Sequence, residues 1–199
     1  PEPFYDLGAA GQWNDLDTDT ALSYVVEFDG QTDLRVTIEE PVNRGVHSGI
    51  GTIRGWAVSS NPIERIEVFL DGEYLYDIPY GGKRNDVGHR YSDIPDSENS
   101  GYATTVNYNA LPQGEHRLRI RVTDSFGSVI QRTADFEVTR FEKPYIGRND
   151  SVELGWSRIY RAGDALTIEE AVVDGKLYTI TLRWQTSSQK FEIIRIEER

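Results

Sequence analysis

Three aspartates open the search for chemistry. In "NDLDTDTALS", residues 14 to 23, Asp15, Asp17 and Asp19 alternate along the chain. Alternating carboxylates in a loop can converge on one hard cation, and calcium takes six to eight oxygen ligands. The fit to an EF-hand loop fails at two places: Thr20 stands where the loop needs glycine, and Val26 where it needs a bidentate glutamate. Two readings stay open, a calcium loop of another kind and a solvated acidic turn in which Asp17 or Asp19 caps a backbone amide.

Other chemistries find less support. The histidines are His47, His89 and His116, and no pair has the spacing of metal ligands on one helix face. With no cysteine, disulfides, thiol catalysis and Cys-ligated zinc are excluded. A serine nucleophile needs a positioned base, and neither a Gly-x-Ser-x-Gly elbow nor a Ser-x-x-Lys is present. Among 33 acidic residues a pair for glycoside hydrolysis has no supporting pattern, because abundance is not geometry. "YGGKRND" has two glycines and a lysine without the phosphate-loop spacing or the helix that follows it. These absences point away from an enzyme.

Binding residues are easier to find. "PYGGKRNDVGHRYSDIPDSENSGY", residues 79 to 102, is a long polar connection carrying Tyr80, His89, Tyr91 and Tyr102. Compact domains rarely keep such a connection without a use for it. Amphipathic aromatics suit sugar faces and protein partners. Trp13 and Trp156 stand beside Gly11 and Gly155 in loop-like contexts. They read either as exposed platforms or as plugs between parts of the chain. Trp184 follows an apolar parity and is expected in the core, and Trp56 at a sheet margin.

The elements that must position these residues are strands. "LRVTI" at 34 to 38, "IERIEVFLDG" from 63, "EHRLRIRV" from 115 and "IQRTADFEV" from 130 all alternate with a period of two. His116, Leu118, Ile120 and Val122 share one face and Arg117, Arg119 and Arg121 the other. One apolar face per strand means an antiparallel sheet buried on one side. The arginine stripe is expected to pair across strands with Glu67. Asp29-Gly30, Asp71-Gly72 and Asp174-Gly175 sit between alternating runs, where a tight hairpin needs φ > 0. "TDSFGS" at 123 to 128 reads as a longer hairpin loop with Gly127 left-handed. "AGDALTIEEAV", 162 to 172, fits strand at least as well as helix.

Three parts follow: an acidic, aromatic lead-in with one strand at 1–33, a sandwich of about seven strands at 34–140, and a β-meander at 141–199. The meander has candidate strands near 152–160, 165–173, 176–184 and 189–197. About 55 residues make a marginal core, so it is expected to pack on the sandwich.

The composition is that of a folded protein, with 38% hydrophobic and 27% charged residues in a chain of 199. No apolar run approaches the roughly 20 residues that span a bilayer. The net charge of −12 repels nucleic acid and anionic lipid. A chain that starts at Pro1 and has no methionine is expected to be a processed or excised piece of a larger protein.

The segments "IRGWAV" (53–58), "IERIEVFLDGEYL" (63–75), "YGGKRNDV" (80–87), "NSGY" (99–102), "LPQGEHRLRIRVTDSFGS" (111–128) and "FEV" (136–138) occur in an order and spacing that resemble the bacterial immunoglobulin-like, Big-type β-sandwich domains. The resemblance covers roughly half the chain and leaves 1–33 and 141–199 unassigned. It implies an all-β protein: an immunoglobulin-like antiparallel β-sandwich with an N-terminal strand segment and a small C-terminal β-meander. It also implies a non-catalytic structural or adhesive module of an exported bacterial protein, periplasmic, secreted or at the cell surface. Its partners would be other domains of the same polypeptide, or a protein or glycan. A carbohydrate-binding module, calcium-assisted if the acidic loop holds a cation, is the alternative, and an accessory part of a glycan-processing enzyme is a third reading. In similar domains a Gly-Gly-x-Arg-x-Asp-Val stretch and a later Asn-Ser-Gly recur together. By that likeness Gly81, Gly82, Arg84 and Asp86 brace the long crossover, with the glycines in backbone angles closed to other residues.

Overall fold

The computed structural model describes residues 33–186 and 189–199, all within one compact unit. Trp13, Asp15, Asp17 and Asp19 lie outside the described residues. In chain order the elements are β1 (Arg35–Glu40), β2 (Gly45–His47), β3 (Ile50–Val58), β4 (Ile63–Leu70), β5 (Glu73–Asp77), β6 (Tyr80–Gly82), α1 (Asn85–Arg90), β7 (Gly101–Asn107), β8 (Gly114–Asp124) and β9 (Val129–Val138). After a connector come β10 (Val152–Glu153), β11 (Arg158–Ala162), β12 (Ala165–Val173), β13 (Lys176–Gln185) and β14 (Lys190–Glu198).

β1 to β9 build two sheets, ordered β1-β3-β7-β6 and β2-β9-β8-β4-β5. All pairings are antiparallel except that of β2 with the last strand, β9. β1 lies on one sheet, β2 on the other and β3 on the first, and the chain then crosses in pairs: β4 and β5, β6 and β7, β8 and β9. That is the immunoglobulin-like order, with β1, β3, β7 and β6 facing β9, β8, β4 and β5. The period-two faces do the packing: Ile53 and Ala57 of β3 meet Ile66 and Val68 of β4, Leu118, Ile120 and Val122 of β8, and Phe136 and Val138 of β9 in one core. The turns use the residues that tolerate φ > 0. Asp71 and Gly72 take 51° and 95°, Asp174 and Gly175 take 51° and 79°, and Gly127 takes 82°.

β10 to β14 form a third sheet, ordered β10-β12-β13-β14, with β11 also on β12. The first expected meander strand is split in two by the turn at Leu154–Ser157, whose closing hydrogen bond runs from the Ser157 N–H to the Leu154 carbonyl at 3.1 Å. Residues 162–172 hold no helix: Ala162 ends β11, 163–164 turn, and 165–172 belong to β12. Ala171, Val173, Tyr178, Ile180 and Ile196 are buried, with Phe141 and Ile146 of the connector packed on them. This cover reaches one end of the sheet. Trp184, expected in the core, lies further along β13 than Tyr178, is 38% exposed, and rests edge-on against Phe191 at 5.2 Å. The meander is tied to the sandwich through β14. The Ile196 N–H donates to Thr139 Oγ1 at 3.0 Å, and the Ser48 hydroxyl donates to the Ile193 carbonyl at 3.3 Å.

Candidate functional site

The long crossover is an ordered structure with its own small core. β6 adds to β7, α1 follows, and a short helical turn spans Ser97–Asn99. Val87 of α1 and Ile94 are buried against Val58, with Trp56 and Tyr91 packed beside them. Arg84 sits between β6 and α1. Its Nε and Nη2 donate to the two Asp86 oxygens at 2.9 and 2.7 Å. Its Nη1 and Nη2 donate to the two Glu39 oxygens on β1 at 3.1 and 2.7 Å. The Arg84 N–H also donates to the Glu98 carbonyl at 2.6 Å, linking the two ends of the crossover. One guanidinium thus makes two fork-shaped pairs, the geometry to which its planar donors are suited. The hydrogen bonds to Asp86, then those to Glu39, hold the Arg84 pKa above its ordinary value. Asp86 in turn is lowered to about 2 by Arg84.

Of the two glycines expected in special backbone angles, one takes such an angle: φ is 104° at Gly81. Gly82 is constrained by proximity instead. A Cβ there would stand 3.3 Å from the Gly101 carbonyl oxygen, and one at Gly101 would stand 2.9 Å from the Gly82 oxygen. The two backbones lie against each other.

The four aromatic candidates of this segment do not form one platform. Tyr102 is 2% exposed and its hydroxyl donates to the Thr37 carbonyl at 2.7 Å, so it is a core residue. Its ring fits because Gly55 lies opposite it on β3. The Tyr80 hydroxyl donates to the Ala57 carbonyl at 3.1 Å, and burial, with Asp96 nearby, pushes its pKa up to about 12. Tyr91 packs on Trp56 at 5.3 Å, with the Arg35 guanidinium 4.9 Å over its ring. His89 is exposed, its Nδ1 2.6 Å from the Asn85 carbonyl oxygen.

Beside Arg84 lies an open groove of about 540 Å³, lined by Glu39, Arg54, Tyr80, Lys83, Arg84 and Tyr102 among others. Its charges face one another. Arg54 pairs with Glu40 at 3.1 Å and Lys83 with Glu98 at 3.3 Å, while Arg84 serves Glu39 and Asp86. The arginine stripe behaves similarly on the other sheet. Arg121 makes a bidentate pair with Glu67 at 2.5 and 2.6 Å, as the alternation indicated, and Arg117 makes one with Asp135. Arg119 lies over the Phe69 ring at 4.1 Å. His116 is buried and held at both nitrogens, by Asp71 at 2.7 Å and the Pro112 carbonyl at 2.8 Å. Among the described residues no group of three His, Asp or Glu side chains is placed to hold a metal ion, and no helix is long and apolar enough to cross a membrane.

A second surface stands at the open edge of the meander. Val152, Leu154, Trp156, Ile159 and Tyr160, five large apolar residues within nine positions, are all exposed. Trp156 is 91% exposed, Ile159 64% and Tyr160 50%. The loop context of Trp156 was legible in the sequence. The sequence does not mark Ile159 and Tyr160, because "RIYRA" has too few residues to show which face lacks a neighbour.

The sequence matches no family model and no curated protein. Among solved structures, the endo-β-1,4-mannanase from Thermotoga petrophila aligns at 13% identity and a TM-score of 0.41, over 55% of this chain and 20% of that one. The fibronectin(III)-like modules of Clostridium thermocellum CbhA align at 17% identity and 0.35, over 52% and 94%. The N-terminal Ig1-2 module of the Drosophila receptor protein tyrosine phosphatase DLAR aligns at 9% identity and 0.35, over 84% and 96%. The chain thus spans one fifth of the mannanase's length. Likeness at this level transfers no ligand, partner or activity. The architecture rests on the strand order itself.

Proposed function

We propose that this chain is a non-catalytic interaction or adhesive module of a larger exported protein, with its contact surface at the open edge of the C-terminal meander. The observation that carries this reading is the exposure of Trp156, Ile159 and Tyr160 together with Val152 and Leu154. These side chains spread over both faces of one sheet edge, and so much large apolar surface left to water and flanked by charge marks a contact site. Arg158 and Arg161 supply that charge. The sandwich serves as the rigid carrier, and Gly81, Gly82, Arg84 and Asp86 brace its crossover. A glycan-binding version of the same reading is supported by one feature, the open indole of Trp156, which offers a flat apolar face of the kind that sugar rings stack on.

The test uses an array of immobilised glycans and of the neighbouring domains of the same polypeptide. It is probed with the labelled protein and with a W156S/I159S/Y160S variant whose unchanged melting temperature shows that it folds. Retention of the native protein on at least one surface, and its loss in the variant, is the expected result. Retention nowhere, equal retention of the variant, or release of reducing sugar overturns the proposal.

A further inference from the structure

We infer that β11 is an acceptor edge for strand addition, and that its occupant is an extended segment of a partner protein carrying two carboxylates three residues apart around apolar residues. This inference rests on the reading of the meander edge as a contact surface and specifies how that surface binds.

The meander has two outer edges, and the structure treats them differently. β14 is capped: the Ile196 N–H and the Ile193 carbonyl are both engaged by side chains of the sandwich. β11 pairs with β12 along one side, from Arg158↔Glu169 to Ala162↔Ala165. Among the described residues no strand pairs with its other side. All five of its residues are exposed. The outer N–H and C=O groups of such a strand form a ready template, and natural edges are covered, bulged, broken by proline or charged to prevent pairing; here the charge of Arg158 and Arg161 bars any partner that does not neutralise it. β11 has no proline, and its ladder with β12 runs without a register shift.

Charge selects the occupant. "RIYRA" is doubly positive in a chain of net charge −12. Arg161 has no ion pair among the described residues, and Arg158 reaches Glu170 only at 3.6 Å. A second copy of this chain is disfavoured, since pairing β11 with itself would bring four arginines onto one short ladder. A strand that sets a carboxylate against each arginine satisfies both charges. Arg158 and Arg161 point to opposite faces, beside Tyr160 on one and Ile159 on the other. The matching segment therefore reads Glu-x-x-Glu with β-branched or aromatic residues between. Main-chain hydrogen bonds would supply affinity, and the alternating side chains specificity.

The probe is fluorescein-labelled acetyl-Thr-Glu-Val-Val-Glu-Val-amide, followed by anisotropy against the intact protein. A peptide with lysine at both Glu positions and one with proline replacing the first Val are the controls. We expect saturable binding of the first peptide, with at least about fivefold weaker binding of the lysine peptide, since two exposed pairs each contribute modestly, and of the proline peptide, which lacks a main-chain donor and cannot extend the ladder. The R158E/R161E variant should reverse the preference toward the lysine peptide. Binding of none of these peptides at millimolar concentration, equal binding of the acidic and basic peptides, or undiminished binding of the proline peptide overturns strand addition. If the array result holds while these peptides fail, the edge binds by another mode and only the present inference falls.

Discussion

Arg84 and Glu39 lie 45 residues apart, yet they meet through two hydrogen bonds of 2.7 and 3.1 Å that fasten the crossover to the first strand of the sandwich. Arg84 also grips Asp86, and that contact contributes most to raising its pKa. The two contacts nonetheless do different work. Asp86 is two positions away with a side chain 67% exposed, so it orders the turn locally in high dielectric. Glu39 is 28% exposed and joins distant segments.

Arg84→Ala should therefore destabilise the protein by about 1–3 kcal/mol, the range of charged hydrogen bonds after a discount for partial exposure. For a chain of this size that lowers the melting temperature by roughly 3–10 °C. Glu39→Gln should account for most of the loss and Asp86→Asn for little of it. Arg84→Lys keeps the charge without the fork and should recover less than half. Scanning calorimetry of the four variants checks the order, and an unchanged melting temperature in Arg84→Ala would remove the bracing role.

Gly55 should tolerate no side chain. A Cβ there would stand 1.9 Å from the Thr37 carbonyl oxygen and 2.4 Å from the Tyr102 hydroxyl, and a backbone oxygen within a paired sheet cannot retreat that far. Gly55→Ala should cost roughly 2–4 kcal/mol, at or above the usual range for overpacking. Tyr102→Phe removes only the bond to Thr37 and should cost about 1 kcal/mol. The double variant should be no better than Gly55→Ala, because the Thr37 clash remains. Full rescue in urea titrations would show that the hydroxyl alone forbids the alanine.

These two sites show where the sequence is readable. The faces of β8 and β9 follow from alternation alone, because each is buried on one side by a whole sheet, whereas β4 is buried on both, with Glu67 and Phe69 covered by Arg121 and Arg119. Asp71-Gly72 and Asp174-Gly175 follow from turn chemistry. Tyr102 reads in the sequence as a loop aromatic, because its place in the core depends on the absent side chain of Gly55 across the ladder. A glycine inside the run "IRGWAV" was the available signal, since an interior strand glycine often marks close approach. Arg84 could be linked to Asp86 by proximity in sequence, but nothing local points to Glu39. α1 was invisible for a similar reason: with one buried residue, Val87, it has no apolar stripe. Trp184 kept its parity but lost its cover, which depends on how far the connector extends over the sheet. At the meander edge Trp156 was legible as a loop residue, while the openness of β11 depends on which strands pair beside it.

The buried imidazole of His116 should make stability depend on pH with a definite sign. Burial acts to lower its pKa, but the Pro112 carbonyl and the Asp71 carboxylate outweigh that and raise it above the ordinary 6.5. With an acceptor at each nitrogen, the charged ring satisfies both contacts. A group whose folded pKa is raised contributes stability that is complete below its unfolded value and fades as pH climbs through the folded one. Asp71 works from the other side. Burial acts to raise it, but the Arg117 N–H and His116 hold it below 3.8, so its contribution is lost as the medium becomes strongly acidic. The pair is therefore strongest between these two reference values. In Asp71→Asn the amide oxygen still accepts from the Arg117 N–H as a neutral, weaker acceptor, which adds a constant offset, while the part owed to His116 varies with pH. The difference in urea midpoint between native protein and Asp71→Asn should be wide at about pH 5.5 and narrower by about pH 8.5. A difference that stays constant across this interval would mean that the folded protein holds His116 neutral.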